Sequence, residues 1–134
     1  MIESARPMRS CRILLVDDNE AIQRTVGRVA EKRGHQTIQA LTGAAALEAA
    51  IASQPDIIVL DMGLPDADGR DVLNKLKADD RTAHIPVVVW SGREGESDSR
   101  ISLRLGAEDY VEKTDPLLLI RKLERVLLRL DESK

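Results

Sequence analysis

The sequence predicts an α/β protein in which a five-stranded parallel sheet is covered by helices on both faces. Short apolar runs alternate along the chain with longer segments of helical periodicity. The runs are apolar at consecutive positions, as strands buried on both faces require. The length, 134 residues, suits one domain and lets roughly two-thirds of the unfolded surface be buried.

The elements follow in order. Met1 to Ser10 is polar and is expected to be a disordered tail, leaving 11–131 as the folded unit. Arg12 to Val16 (RILLV) predicts the first strand. Asp18 or Asn19 then caps a helix running to about Arg33, with Ile22, Val26, Val29 and Ala30 as its apolar stripe and Gly34 just past its end. Gln36 to Ala40 is a short second strand, and Gly43 to Ser53 an Ala-rich helix. Asp56 to Leu60 (DIIVL) is the third strand and stops at Asp61. Gly69 to Ala78 is a helix that turns Val72, Leu73 and Leu76 inward. Ile85 to Trp90 is the fourth strand, and a helix follows over about Glu96 to Leu105 with Gly106 beyond it. Glu108 to Val111 is the fifth strand. Asp115 caps the last helix, with Pro116 at its first position. Strand order 2-1-3-4-5, a flavodoxin-like sandwich, is one of the common solutions for such a chain, and its ligands bind beyond the carboxyl ends of strands 1 and 3.

Composition narrows the function. Apolar residues make up 43% and charged residues 32%, a globular profile. With one Trp, one Tyr and no Phe, the core must come from Leu, Ile, Val and Ala. The net charge of −3 argues against a direct nucleic-acid partner. No apolar run is long enough to span a membrane, and the first residues lack a secretory apolar segment. Cys11 is the only cysteine, so no internal disulfide forms. A cytoplasmic setting is expected, with Cys11 a small residue entering a strand.

The carboxyl ends of the strands carry the chemistry. Strand 1 ends in Asp17 and Asp18, strand 3 in Asp61, strand 4 in Ser91, and strand 5 leads into Lys113. Acidic side chains at close range repel, and a hard divalent cation such as Mg2+ relieves that repulsion while leaving positions for phosphate oxygens. Ser91 can donate to one phosphoryl oxygen and the Lys113 ammonium can pair with another. Singly, each residue reads as a cap or a turn. Their joint placement at four strand ends makes a site.

Four strings, ILLVDDNE (13–20), PDIIVLDMGLPDADGRDVL (55–73), RTAHIPVVVWSG (81–92) and LGAEDYVEK (105–113), resemble the receiver domain of two-component response regulators over nearly the whole chain. The resemblance implies that Asp61 is the phosphoacceptor, that Asp18, Asp61 and the backbone carbonyl of Gly63 bind Mg2+, and that Asp17 acts on the metal mainly through water. It implies that Ser91 and Lys113 contact the phosphoryl group and that Ser91 and Tyr110 form the switch. Pro65 and Gly69 match the loop after the acceptor, and Gly63 and Arg93 sit where the family tunes phosphoryl lifetime. Thr114 stands where the family usually has a proline in a cis bond, so a trans bond is expected here. Trp90 is expected to point away from Ser91 into the core.

The implied function is a phosphorelay signalling domain, not an enzyme beyond self-catalysed phosphotransfer and autodephosphorylation. The implied partners are a histidine kinase or histidine phosphotransfer protein and a downstream effector. A haloacid-dehalogenase-type phosphatase would need Asp-x-Asp after strand 1, where this chain reads Asp17-Asp18-Asn19. A flavin carrier would need Ser, Thr and Gly there, since bare carboxylates repel phosphate. A receiver-shaped module that is never phosphorylated is the remaining alternative. The last helix carries two apolar rows, Leu119, Leu123, Val126 and Leu130 beside Leu117, Ile120 and Leu127. That is wider than one core-facing stripe. Either a homodimer forms through this face or the extra leucines fill a core poor in aromatics.

Overall fold

The computed structural model describes residues 10–92, 96–113 and 115–132, with the backbone alone at 96–98. Residues 1–9 of the expected tail, Arg93 and Thr114 lie outside the described residues. Five parallel strands, β1 (Arg12–Val16), β2 (Gln36–Ala40), β3 (Ile57–Leu60), β4 (Val87–Ser91) and β5 (Asp109–Glu112), form one sheet in the order β2-β1-β3-β4-β5. The helices between and after them are α1 (Glu20–Lys32), α2 (Gly43–Ser53), α3 (Gly69–Ala78), α4 (Glu96–Arg104) and α5 (Pro116–Glu132). The predicted class and strand order are those observed.

The period of two along the central strands builds two cores. Leu14, Val16, Ile58, Leu60, Val87 and Val89 face α2 and α3. Ile13, Leu15, Ile57, Val59, Val88 and Trp90 face α1 and α5. Leu, Ile, Val and Ala dominate both, as the shortage of aromatics requires.

Several boundaries shift for local reasons. The cap of α1 is Asn19, whose side chain accepts from the Ile22 N–H at 3.1 Å. The buried row of α1 is Gln23, Val26, Gly27 and Ala30, so the predicted stripe is rotated, with Ile22 and Val29 only partly covered. β4 begins at Val87 because Pro86 has no N–H to pair; its carbonyl still accepts from Ile58. β3 starts at Ile57, since Asp56 uses its carboxylate on the Arg12 N–H at 2.7 Å. β5 runs one residue later than expected at each end. α2 ends on Gln54 in the left-handed region at φ 47°, a conformation more often taken by glycine. Gly34 and Gly106 do adopt positive φ, at 87° and 108°, where side chains are strained.

At the amino ends of the strands, α5 is fastened to the α1–β2 turn. Arg33 donates to both oxygens of Glu124 at 2.8 and 2.6 Å. The Cys11 N–H donates to Nδ1 of buried His35, which leaves the proton on Nε2 to face Glu124 Oε2 at 2.8 Å. The Cys11 sulfur lies 3.2 Å from Nδ1, so the cysteine is part of this buried junction.

Candidate functional site

The crossover order sends the connections after β1 and β3 to opposite faces, leaving a crevice between their carboxyl ends. Backbone bonds set the rim: the Asp17 N–H donates to Ala40 C=O and the Asp61 N–H to Val16 C=O, both at 3.0 Å. Asp17, Asp18 and Asp61 each bring a carboxylate oxygen within 4.8 Å of the others. Asp17 is fully buried and Asp61 is 8% exposed, whereas Asp18 faces solvent. Asp17 Oδ1 also accepts from the Asn19 N–H at 2.9 Å, fixing the turn into α1.

The Lys113 ammonium reaches this rim from the end of β5. It lies 2.6 Å from Asp17 Oδ2 and 3.3 Å from Asp61 Oδ2. Its own N–H donates to the Ser91 carbonyl at 2.9 Å, so β4 carries the lysine backbone. One ammonium stands against three carboxylates, of which Asp18 is exposed, and the three acidic oxygens lie close enough together that they could hold a cation. All-oxygen donors on one rim suit a hard divalent ion better than a soft one.

The loop after β3 is tightly held. The Gly63 N–H donates to Asp61 Oδ1 at 3.2 Å, and Gly63 pairs across the loop with Asp68. Asp68 caps α3 by accepting from the Arg70 N–H at 2.9 Å. Asp66 accepts from the N–H groups of Gly43 and Ala44, which hold its carboxyl below the usual range and tie the loop to the start of α2. Gly69 lets α3 begin against β3: a Cβ there would stand 2.5 Å from Met62 Cα and 3.1 Å from the Asp61 carbonyl oxygen.

Ser91 is the last residue of β4 and is buried. Tyr110 pairs with Val89, is half-buried, and packs against the core on the α2–α3 face. The structure therefore brings Asp17, Asp18, Asp61 and Lys113 into contact range and sets Ser91 and Tyr110 on the adjoining strands.

Two participants went unread in the sequence. Gln23 donates its amide to the carbonyls of Leu15, Asp17 and Ala40 at 2.9, 3.1 and 3.2 Å, anchoring α1 to the rim from below. Its position three residues before Val26 on the buried row was the available signal. Trp90 points away from Ser91 as expected, yet its ring lies under the Lys113 ammonium, 5.5 Å from the centroid. No pattern in the sequence marks that contact.

Residues 13–124 match the response regulator receiver domain family. The chain belongs to that family. The transcriptional regulatory protein KdpE of Mycobacterium tuberculosis is 44% identical to the receiver over 101 residues, 75% of this chain and 43% of that protein. Protein PilH of Pseudomonas aeruginosa is 32% identical over 117 residues, 87% of this chain and 97% of that protein. A CheY-like receiver domain protein from Methanospirillum hungatei superimposes with a TM-score of 0.86 at 25% identity, covering 94% of this chain and all of that one. The chain spans less than half of the M. tuberculosis relative and 28% of the response regulator PleD of Caulobacter vibrioides. The family match and the fold together place the chain among response regulator receiver domains. Among the described residues, no helix is long and apolar enough to cross a membrane.

Proposed function

We propose that Asp61 accepts a phosphoryl group from a phosphohistidine on a kinase or phosphotransfer protein, or from a small phosphodonor, and that the receiver changes its partner preference as a result. The observation that carries this reading is the meeting of Asp17, Asp18 and Asp61 within 4.8 Å, with Lys113 between Asp17 and Asp61.

In this reading Asp18, Asp61 and the Gly63 carbonyl would hold Mg2+, and Asp17 would act on it mainly through water. The bound ion supplies charge neutralisation and oxygen positions for the transferring group. A carboxylate oxygen of Asp61 attacks phosphorus, the P–N bond to the donor imidazole breaks, and its electron pair stays on that nitrogen. Lys113 is already beside Asp61 and meets the charge that arrives, which positioning and electrostatics must do in a reaction of this class. The Ser91 hydroxyl donates to a phosphoryl oxygen, and Tyr110 on the neighbouring strand follows its movement. The surface of α4, β5 and α5 then reads out the added charge. Water later hydrolyses the acyl phosphate and restores the carboxylate.

The effector contacts that face. Leu118, 54% exposed, shares a surface groove with Tyr110, Arg121 and Arg125, an apolar spot inside a charged rim. The unit that carries this activity runs over 11–131.

Asp61→Asn tests the reading. The variant should fold, because Asn is nearly isosteric, and should take no hydroxylamine-labile phosphoryl group from acetyl phosphate and Mg2+, read by intact mass. Full labelling of the variant would remove Asp61 from its role.

A further inference from the structure

Trp90 touches the site from the opposite side of β4. It stands across from Val111 in the β4–β5 register and is 3% exposed. Its indole N–H donates to the Glu112 carbonyl at 3.1 Å, so it grips the backbone immediately before Lys113. Its ring lies under the Lys113 ammonium at 5.5 Å, within reach of a cation–π contact. A single side chain thus holds both the backbone that launches the lysine and the charge at its far end.

A lysine side chain has many rotamers, and an ammonium is drawn to whatever negative group is nearest. Asp17 and Asp61 attract it only while their carboxylates are free to do so. Attraction to an aromatic face does not depend on those charges. The indole therefore gives the ammonium a seat that persists when Asp17 and Asp61 are otherwise engaged. Ile22, Val26 and Pro116 line the same groove as Trp90 and Lys113, keeping the floor under the lysine apolar.

We propose that Trp90 is a positioning residue for phosphoryl transfer: its indole N–H fixes the β5 terminus and its ring holds the Lys113 ammonium beside Asp61. This rests on the assignment of Lys113 and Asp61 made above, and it adds to that assignment the residue that aims the lysine.

The test is a double-mutant cycle on the full chain: wild type, Trp90→Leu, Lys113→Ala and the pair, with acetyl phosphate and Mg2+ and initial rates read by intact mass. Trp90→Leu should slow phosphorylation about three- to tenfold, the range expected for loss of a partly desolvated cation–π contact. In the Lys113→Ala background the same change should alter the rate less than about twofold, the coupling signature of residues that act together. Trp90→Phe, which restores a ring without the N–H, should recover part of the rate. Should Trp90→Leu not fold, the cycle run with Trp90→Phe reads the same coupling at smaller amplitude. In NMR spectra the Lys113 ε-methylene protons should be shifted upfield by the ring, return toward ordinary values in the Leu variant and keep part of the shift in the Phe variant. Equal slowing by the Trp90 change in both backgrounds would make Trp90 core filling alone and overturn the inference. An unchanged rate in Lys113→Ala by itself would overturn the role of Lys113 and, with it, this proposal.

Discussion

Asp18 is the one carboxylate of the rim that faces solvent, and nothing in the core depends on it. Asp18→Ala should therefore leave the fold intact and weaken Mg2+ binding by about thirtyfold, the Coulomb attraction of a divalent ion for one charge at ~4 Å in water. Titration calorimetry reads this directly, and Trp90 fluorescence offers a second channel because its ring touches Lys113. Equal affinities in the two proteins would take Asp18 out of the ligand set. The placement of Asp17, Asp18 and Asp61 on one rim was legible because they follow strands that apolar runs mark clearly, whereas Lys113 follows the mixed strand Asp109–Glu112 and was placed by the alternation of elements. The resting position of Lys113, between Asp17 and Asp61 and over Trp90, was not. It depends on a long side chain reaching across two strands, and residue order does not encode that reach.

Helix α3 is set by a close approach to β3 that only glycine permits at its first residue. Gly69→Ala must move either Met62 or the whole of α3, since backbone rather than a side-chain tip stands in the way. We expect a loss of about 1–3 kcal/mol in urea unfolding, as for other overpacked sites. Phosphorylation should slow as well, because the obstructed residue is next to Asp61. Wild-type stability in this variant would mean that the loop yields without cost. Element identity and sheet order were readable from sequence because periodicity and connection length both pointed to crossovers between parallel strands. The ends were harder to place. Asp56 and Pro86 look like strand residues by neighbourhood, yet one spends its carboxylate on Arg12 and the other lacks a donor. Gln23 counted as polar in a search for apolar stripes, although its amide is what joins α1 to the rim.

Across the whole molecule, α5 turns Leu119, Ile120, Leu123, Val126 and Leu127 into the core. Both apolar rows read from the sequence thus contribute to packing, and the exposed remainder is Leu117 and Leu118, with Leu103 on α4. Sedimentation should show a monomer when the receiver is unmodified and a dimer when it is treated with beryllofluoride; a monomer in both states would leave this face to an unlike partner. Midway along α5, Glu124 sets the acid limit of the fold. Glu124 is held below the ordinary glutamate range, chiefly by its hydrogen bond from Arg33 and also by His35, against the opposing effect of burial. A carboxyl whose folded-state pKa is depressed contributes fully above its unfolded value and loses that contribution as pH falls through the folded value. Glu124→Gln should cost about 1 kcal/mol near neutrality, since Arg33 is partly exposed. That amounts to about 3–6 °C in melting temperature, and the gap between the two proteins should close below the usual glutamate range. A gap that is constant across this pH window would show that the ion pair is not its source. The same junction bears on how the chain reaches its native state. Arg33 and Glu124 are separated by 91 positions, and His35 and Glu124 by 89, so the junction closes nearly the whole chain into a loop. Contacts of such range reward the chain only after most of its ordering entropy has been spent. During synthesis, β1 and α1 must wait for α5 to leave the ribosome before their shared core is covered, and until then the apolar side chains of that face remain open to other chains.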